Sequence, residues 1–495
     1  MWERKSWSRI FLIALCSGVT ALGTASIMNA SDPPLDGSEK TARVLDKHRE
    51  TIESIVRESL RGNDAWKKME ELCDGIGHRL SGSPQLEKAI DWAVATMQKD
   101  GLTNVRREKV MVPHWVRGAE SANLVDPYAT SLCVLGLGGS VGTPPEGITA
   151  PVLVVSDAEE LEALGEKANG RIILFNNPMP PYDPEKGSGY GTAVKYRHKG
   201  AQLCGKHGAV ACLVRSVTAR SLRTPHTGAM SYGESEIKIP AAALCTEDAE
   251  MLARMQRKGI TPIVNLKMGA QTLPDAESAN TVGELRGREK PEEIVVLSGH
   301  LDSWDAGQGA HDDGGGCVIA MEALNVLRKL NLTPRRTIRV VLWTNEENGL
   351  RGAKQYVIDH ADEMKNHVFA IESDGGIFTP QGFSLECSDA DKAARSLARL
   401  SDVLGLIPTL GPLRAVAGGS GADIGEMKPF GVVLMGHDVD GATYFDYHHT
   451  PADTLDKVSP HHLSENVALL AATAYVLAEM DLPQAGPPVE AAGTP

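Results

Sequence analysis

Short apolar runs that alternate with helical patterns constrain the fold of this chain more than any other feature of its sequence. Four such runs lie at residues 294–297, 338–343, 368–371 and 432–435. Helical patterns follow the first two runs, and another closes the series near residue 480. Strands that are apolar without alternation are typical of parallel sheets covered on both faces. The sequence therefore predicts an α/β fold with a mostly parallel, doubly covered sheet.

The block between residues 126 and 271 has a different texture. Turns rich in proline and glycine separate short apolar strands at 152–155, 172–175, 209–214 and 241–244. Short strands bounded by such turns are typical of a separate β-rich unit. We therefore interpret residues 126–271 as an inserted β-rich domain.

The other boundaries divide a larger domain around this insertion. We expect residues 31–125 to form a leader and the first part of that domain, and residues 272–482 to form its main part. The tail at 483–495 is rich in proline, alanine and glycine and is predicted to be disordered.

The first thirty residues are typical of an export signal. A basic head precedes an apolar run at about residues 10–22, and small residues follow it. A membrane anchor is the less favoured alternative, because a spanning helix needs about 20 apolar residues. We predict that residues 1–30 are a signal peptide and that the mature protein is secreted or periplasmic.

Composition excludes two classes of protein. The apolar fraction of 42% is ordinary for a folded chain and excludes a mostly disordered one. Lysine and arginine number 50 against 64 aspartate and glutamate residues, which gives a formal net charge of −14. A protein that holds phosphate backbones needs a basic face, so no nucleic-acid partner is expected.

The cysteines predict neither a disulfide framework nor a zinc ribbon. Cys16 lies in the expected signal, and the other seven are widely spaced without a Cys-x-x-Cys pair. Most of them are expected to be small buried hydrophobic residues. One bridge, such as Cys204 with Cys212 or Cys245, stays open in an oxidising compartment.

Carboxylates and imidazoles stand where the predicted strands of the larger domain end. They are His300, Asp302, Asp312, Asp313, Glu346, Glu347, Glu372, Asp374, His448, His449 and Asp453. Ligand sites of open α/β sheets lie beyond the carboxyl ends of the strands. Carboxylates gathered there would repel one another without cations. The set is too rich for one tetrahedral ion and predicts two zinc-like divalent ions that share a carboxylate.

The sequence around these residues resembles the co-catalytic zinc aminopeptidases of peptidase family M28. The resemblance is carried by His300-Leu-Asp302, Asp312-Asp313, Asn345-Glu346-Glu347, Glu372-Ser-Asp374 and His449-Thr-Pro-Ala-Asp-Thr. Further stretches, at 77–83, 86–90, 112–118 and 142–148, resemble the carboxypeptidase Q-like branch of that family. The resemblance covers roughly residues 60 to 480.

The resemblance implies a role for each site residue. Asp312 would bridge two Zn²⁺ ions, with His300 and Asp374 completing the ligands of one ion. Glu347 and His449 would complete the ligands of the other.

Two further residues and the peptide bond after Asp312 also take roles from this resemblance. Glu346 would be the general base, and Asp302 would orient His300. A cis peptide bond is expected between Asp312 and Asp313. His448 and His311 are competing ligand candidates. The His-Thr-x-x-Asp context favours His449 over both.

The implied activity is that of an exported dizinc exopeptidase acting on short peptides or dipeptides, and the inserted block would be a protease-associated domain. Which terminus of the substrate is held stays open, and a homodimer is expected from the resemblance alone. Ser420 and Asp423 lie in a glycine-rich loop that either lines the substrate pocket or forms a plain turn.

Three other functions were weighed against this one. A non-catalytic receptor or scaffold on the same fold would be expected to lose ligands or the base, and all are present. A dinuclear amidohydrolase acting on acylated amino acids differs only in substrate. A serine hydrolase is suggested by Gly138-Gly-Ser140-Val-Gly142, but Thr143-Pro-Pro prevents the helix that this motif requires.

Overall fold

This computed structural model describes residues 48–481 of the chain. The predicted signal peptide at 1–30 and the predicted tail at 483–495 lie outside the described residues. Between residues 48 and 481, no helix combines the length and the apolar character needed to cross a bilayer.

The described residues contain sixteen strands and twelve α-helices. The strands are β1 Thr103–Val116, β2 Glu120–Asp126, β3 Thr130–Leu132, β4 Val134–Gly136, β5 Ile148–Val155, β6 Ile172–Phe175, β7 Ala211–Arg215, β8 Ala241–Leu244, β9 Ile263–Met268, β10 Gln271–Leu285, β11 Lys290–His300, β12 Arg336–Trp343, β13 His367–Glu372, β14 Pro380–Glu386, β15 Arg414–Ala417 and β16 Val433–Val439. The helices are α1 Arg49–Arg61, α2 Asp64–Cys73, α3 Pro84–Lys99, α4 Ala158–Leu164, α5 Tyr190–Ala193, α6 Lys195–Lys206, α7 Thr246–Arg257, α8 Gly315–Lys329, α9 Arg351–Asp359, α10 Ala390–Leu404, α11 Tyr444–Tyr447 and α12 Pro460–Glu479.

The first sheet has eight strands in the order β1-β10-β12-β11-β13-β16-β14-β15. Its centre is parallel from β12 through β11 and β13 to β16, whereas β1, β10 and β14 pair antiparallel with their neighbours towards the centre. The four apolar runs predicted from the sequence are these four central strands. The predicted α/β class with a mostly parallel centre is therefore confirmed.

Both faces of this sheet are covered, which explains why its central strands are apolar throughout. On β11, Val295 and Leu297 enter the core formed with α1, α2, α3, α8 and α12. Their neighbours Ile294 and Val296 point to the opposite face, where they pack with Tyr356 of α9. Successive side chains of a strand point to opposite faces, so a strand buried twice cannot alternate with polar residues.

Residues 120–268 form a second eight-stranded sheet, in the order β3-β2-β9-β5-β6-β7-β8-β4. Strands β5 to β8 are parallel, and β9 and β4 pair antiparallel at either side of them. The helices α4–α7 that accompany this sheet had no counterpart in the sequence-based prediction. The division of the chain into a peptidase domain and an inserted domain stays a prediction.

An ionic cluster ties β1 to the loop after α9. The His360 ring donates from Nε2 to Glu108 Oε1 at 3.0 Å and from Nδ1 to Glu363 Oε1 at 2.6 Å. Burial alone would lower the pKa of His360, but the two carboxylates outweigh it and raise that pKa to about 9. The imidazolium is therefore stabilised in the folded chain.

We predict that His360→Gln lowers the free energy of unfolding by about 2 kcal/mol near pH 6. The pKa of His360 is higher in the folded than in the unfolded chain, so its contribution is complete below about pH 6.5 and is lost as the pH rises through about 9. Urea unfolding of both proteins at about pH 6 and about pH 10 checks this. An equal difference at both pH values would contradict it.

Candidate metal centre

Three adjacent parallel strands bring the predicted site residues to one edge of the first sheet. In register, His300 at the end of β11 lies beside Trp343 at the end of β12, and Ser298 of β11 lies beside Glu372 at the end of β13. The loops that follow these strands carry Asp302, Asp312, Glu347 and Asp374. Residues more than 70 positions apart therefore meet because the strands are neighbours.

His300 forms the centre of one group of possible metal ligands. Its Nε2 atom lies 3.2 Å from Asp312 Oδ1 and 3.2 Å from Asp374 Oδ1. The ring and Asp312 are buried, and Asp374 is partly exposed. The ligand atoms of these three residues all lie within 4.8 Å of one another.

His449 forms the centre of a second group. Its Nε2 atom lies 3.2 Å from Asp312 Oδ2 and 3.0 Å from Glu347 Oε2. Asp312 thus contacts His300 through one carboxylate oxygen and His449 through the other. This is the position expected of a bridging ligand between two ions.

The electrostatics of these groups fit divalent cations. Burial, with the Asp312 carboxylate beside it, raises the pKa of Glu347 to about 7. Burial alone would lower the pKa of His300, but carboxylates led by Asp374 outweigh it and hold that pKa well above its usual range. Asp312 Oδ2 and Glu347 Oε1 are buried and lack a hydrogen-bond partner among residues 48–481. Such orphaned carboxylate oxygens beside two imidazoles suit zinc or a similar ion.

The Asp312 carboxylate is fixed through its main chain. The peptide bond between Asp312 and Asp313 is cis, as expected. Asp453 accepts the N–H groups of His311 at 2.8 Å and of Asp312 at 3.2 Å. Asp313 accepts the His300 N–H at 3.0 Å. Asp313 and Asp453 therefore position the two groups although neither was predicted to be a ligand or catalytic.

Asp302 contacts His300 through its carbonyl oxygen and the two glutamates through its carboxylate. The His300 Nδ1 atom is 3.0 Å from the Asp302 carbonyl oxygen and 3.9 Å from its carboxylate. The carboxylate instead accepts the N–H groups of Glu346 at 3.0 Å and of Glu347 at 3.3 Å. Asp302 therefore orients both His300 and the turn that carries the paired glutamates.

Glu346 is adjacent to the ligands without belonging to either group. It is partly exposed, and its N–H group is held by Asp302. Burial, together with Asp374, Glu347 and Asp302, holds the pKa of Glu346 well above its usual range. A carboxylate in such a position is able to take up and hold a proton.

Arg79 is a positioning residue that the sequence did not reveal. Its side chain is 0% exposed, and its guanidinium donates to the carbonyls of Leu301 at 2.6 Å, Gln308 at 2.7 Å and Gly309 at 2.9 Å. These carbonyls belong to the loop between β11 and Asp312. The stretch at 77–83, which carried part of the family resemblance, thus fixes the path of that loop.

The two competing histidines occupy different places. His448 Nε2 lies 3.7 Å from Asp312 Oδ2, and its ring stacks on that of His449 with centroids 3.6 Å apart. His311 instead stacks on Phe378, and its Nδ1 accepts the Ile377 N–H at 3.0 Å. His448 thus borders the second group, and His311 points away from both.

Ser420 and Asp423 lie behind Glu372. The Ser420 hydroxyl donates to Glu386 Oε1 at 2.9 Å, and the Asp423 N–H donates to Glu372 Oε1 at 3.4 Å. Both carboxylate oxygens of Asp423 are buried without a hydrogen-bond partner in the described part of the chain. Their role in binding substrate stays a prediction.

A cavity of about 370 Å³ reaches the loop after β13, where Gly375, the residue after Asp374, lines it. The other residues that line the cavity come from the segment at 120–268 and from the first sheet with its loops: Tyr182, Ser188, Gln381, Ser384, Arg414, Val416, His437, Asp438, Val439, Gly441, Tyr444 and Phe445. The aromatic side chains of Tyr444 and Phe445 lie on the side nearest His448. The second sheet region therefore contributes to the wall of the space next to the site.

Ser140, the serine of the competing motif, has a structural position. It is 0% exposed, its hydroxyl accepts the Ala241 N–H at 2.8 Å, and it donates to the Val141 carbonyl at 2.9 Å. A serine nucleophile must reach its substrate and an adjacent base. The geometry gives no support to the serine hydrolase alternative.

Comparisons with known proteins agree with this site. The model of peptidase family M28 matches residues 280–474. Carboxypeptidase Q of Mus musculus is 41% identical over 451 residues, which cover 90% of this chain and 93% of that protein. Carboxypeptidase Q of Homo sapiens is 43% identical over 419 residues, with 85% of this chain and 86% of that protein covered.

Solved structures agree as well. The crystal structure of a peptidase M28 precursor from Shewanella amazonensis has a TM-score of 0.84 at 34% identity and covers 90% of this chain and all of that one. A zinc aminopeptidase from Bacillus subtilis shares the fold, with a TM-score of 0.62 at 20% identity over 84% of this chain and 95% of that one. The chain is therefore a metallo-exopeptidase and belongs to peptidase family M28.

Proposed function

We propose that this chain is an exported dinuclear zinc exopeptidase that hydrolyses the peptide bond of short peptides or dipeptides. The observation that carries the proposal is the position of Asp312, whose two oxygens face His300 on one side and His449 on the other, each at 3.2 Å. A single carboxylate shared by two groups is the arrangement of a two-ion site.

Five residues would hold the two ions. His300 and Asp374 would bind one, Glu347 and His449 the other, and Asp312 both. Two imidazoles with carboxylates favour zinc over magnesium or calcium, which prefer oxygen ligands alone. Ions bound there would polarise the scissile carbonyl and lower the pKa of a water molecule towards 7.

Glu346 is the proposed general base. Asp302 accepts the main-chain N–H groups of Glu346 and Glu347, and of these two glutamates Glu347 is the one that contacts His449. The Glu346 carboxylate would take a proton from the attacking water and pass it to the leaving amine. Burial and the neighbouring carboxylates hold the pKa of Glu346 well above its usual range, which favours uptake of the proton from water.

Two observations support short substrates and export. The cavity lined by Gly375, at about 370 Å³, lies in the lower part of the range of about 300–1,000 Å³ typical of small-molecule sites. The basic head and apolar run of residues 1–22 support a secreted or periplasmic protein. The similarity to carboxypeptidase Q supports peptides as substrates and leaves the recognised terminus open. A homodimer is part of the proposal on the resemblance alone.

We predict that Glu346→Gln lowers kcat by about 10²–10⁴-fold while both zinc ions stay bound. The amide keeps the shape of the side chain and cannot take up the proton. Steady-state kinetics together with metal analysis of the same sample check this. Glu277→Gln, at a side chain that is 65% exposed and pairs with Lys109, is the matched control. Full turnover by Glu346→Gln with two ions bound would refute the assignment.

We also predict that the zinc-loaded mature protein hydrolyses free dipeptides and that a chelator abolishes this activity. Free, N-blocked and C-amidated dipeptides, assayed in parallel, show which terminus is required. We expect zinc added back to two equivalents to restore turnover, because the chelator removes the ions and leaves the ligand side chains in place. Cleavage of N-acylated amino acids alone would favour the amidohydrolase alternative. No hydrolysis of any substrate would overturn the proposal.

A further inference from the structure

His449 has a main-chain conformation that requires support from outside its own segment. Its φ angle is +60°, in the left-handed region that residues other than glycine rarely adopt. Such a conformation persists only where surrounding contacts determine it. The contacts that hold His449 are therefore relevant to the proposed second ion.

The main support comes from Thr227, in the loop between β7 and β8 of the second sheet. The Thr227 N–H donates to the His449 carbonyl at 3.0 Å, and the Thr227 carbonyl lies 3.3 Å from His449 Nδ1. A donor at Nδ1 leaves Nε2 free to face Asp312 and Glu347. Thr227 thus holds the backbone of His449 and offers an acceptor to Nδ1, which the Arg197 guanidinium also approaches, at 3.4 Å.

Thr227 is itself anchored. It is 0% exposed, and its hydroxyl donates to the Gly136 carbonyl at 2.6 Å. The Arg117 guanidinium reaches the same hydroxyl at 3.4 Å and also donates to the Gly136 carbonyl. Arg117 forms a two-point ion pair with Asp305, in the loop that follows β11. The anchor therefore connects the loop of the first metal group with the support of the second.

Trp304 supports the other side of His449. The two rings lie 5.8 Å apart, and Trp304 is buried. A Cβ atom at Gly138 would lie 1.9 Å from the Trp304 ring, so only glycine leaves room for it. Thr227 thus contacts His449 directly, and Gly138 leaves room for Trp304 to contact it as well.

We propose that the second sheet region is a positioning element for the metal centre, in which Thr227, anchored by Arg117, holds His449 in its ligand geometry. This inference rests on the proposed role of His449 as a zinc ligand. Thr227 and Arg117, which lie far from the strand ends of the first sheet, would thus contribute to the binding of one of the two ions. The ion at His300 and Asp374 does not depend on it.

Zinc titration against a competing chelator tests this inference. Thr227→Val keeps the shape of the side chain and removes the hydroxyl anchor, and Arg117→Met removes the ion pair with Asp305. We expect each variant to weaken the binding of one zinc ion by about 10-fold or more, in the range of substitutions behind metal ligands, and to leave the binding of the other unchanged. Thr227→Ser, which keeps the hydroxyl, is expected to bind both ions with native affinity.

The controls separate folding from positioning. The unfolding temperature of each metal-free variant shows whether the chain still folds. If Arg117→Met does not fold, Thr227→Val still tests the inference. Arg220→Gln breaks a different contact between the two sheet regions, the ion pair with Asp446, and is expected to leave zinc affinity unchanged. Native affinity for both ions in folded Thr227→Val would overturn the inference. A wild-type chain that binds fewer than two zinc ions would instead overturn the proposed function.

An independent observation concerns Cys133 and Cys245. The register of β4 with β8 pairs Val134 with Leu244, which places Cys133 opposite Cys245 at the next position. The Cys245 N–H donates to the Cys133 carbonyl at 3.1 Å, and the two sulfur atoms lie within 4.8 Å of each other. Directly opposed residues with hydrogen-bonded main chains have Cα atoms about 5.5 Å apart, within the range that a disulfide spans.

Asp248 lies within the same 4.8 Å, but a metal ion is not the better explanation for this group. Arg223 donates to both oxygens of the Asp248 carboxylate, at 2.8 and 3.1 Å, and the Cys133 N–H donates to it at 2.6 Å. The carboxylate is already compensated by a cation. The thiols, which are free in this structure, are the unused chemistry of the group.

We infer that Cys133 and Cys245 form a disulfide in the exported protein. Each thiol loses one proton and one electron as the S–S bond forms, and a disulfide oxidant such as a thiol–disulfide oxidoreductase takes up both and becomes a dithiol. Cys133 is partly exposed, which gives the oxidant access, whereas Cys204 and Cys212 are both fully buried. The inferred partner of Cys245 differs from Cys204, the partner that the sequence left open.

Oxidised glutathione tests the pair on the purified chain, independently of export. We expect a peptide map after alkylation to show Cys133 linked to Cys245, and the unfolding temperature to rise by several degrees. Cys133→Ser is expected to lose both effects, and Cys204→Ser to keep both. Alkylation of Cys133 and Cys245 after oxidation, or a link between Cys204 and Cys212 instead, would overturn the inference.

Discussion

Repulsion among buried carboxylates is the constraint on which the rest of this structure depends. The chain resolves it in two ways. Asp302, Asp313 and Asp453 accept main-chain N–H groups, which satisfies their oxygens and fixes the loops around them. Asp312 and Glu347 keep buried oxygens without such partners. The first set builds a rigid frame, and the second presents the charge that cations compensate.

The central strands and the candidate ligands could be predicted because their signals are local. A strand buried on both faces is apolar throughout, and a carboxylate at its end stands out against it. The choice of His449 over His448 depended on family resemblance, and the structure places Asp312 0.5 Å nearer to the Nε2 of His449, at 3.2 against 3.7 Å. A difference of that size has no counterpart in sequence spacing.

The positioning residues could not be predicted because their partners are remote and often main-chain atoms. Arg79 donates to three carbonyls more than 220 positions away, and any residue type supplies a carbonyl. Thr227 acts through its own N–H and C=O groups, so its side chain carries no sign of the contact. Gly138 belongs to a motif typical of serine hydrolases, yet what its position requires is room for an indole ring.

The contacts of Asp453 and Thr227 have a consequence for the order in which the site is completed during synthesis of the chain. One group of candidate ligands lies between residues 300 and 374, but its bridging residue Asp312 is held through its N–H group by Asp453. The other needs His449 and the loop at Thr227, which are separated by most of the first sheet. Both groups therefore depend on the segment at 449–453, and a chain truncated before residue 449 would lose the support of both.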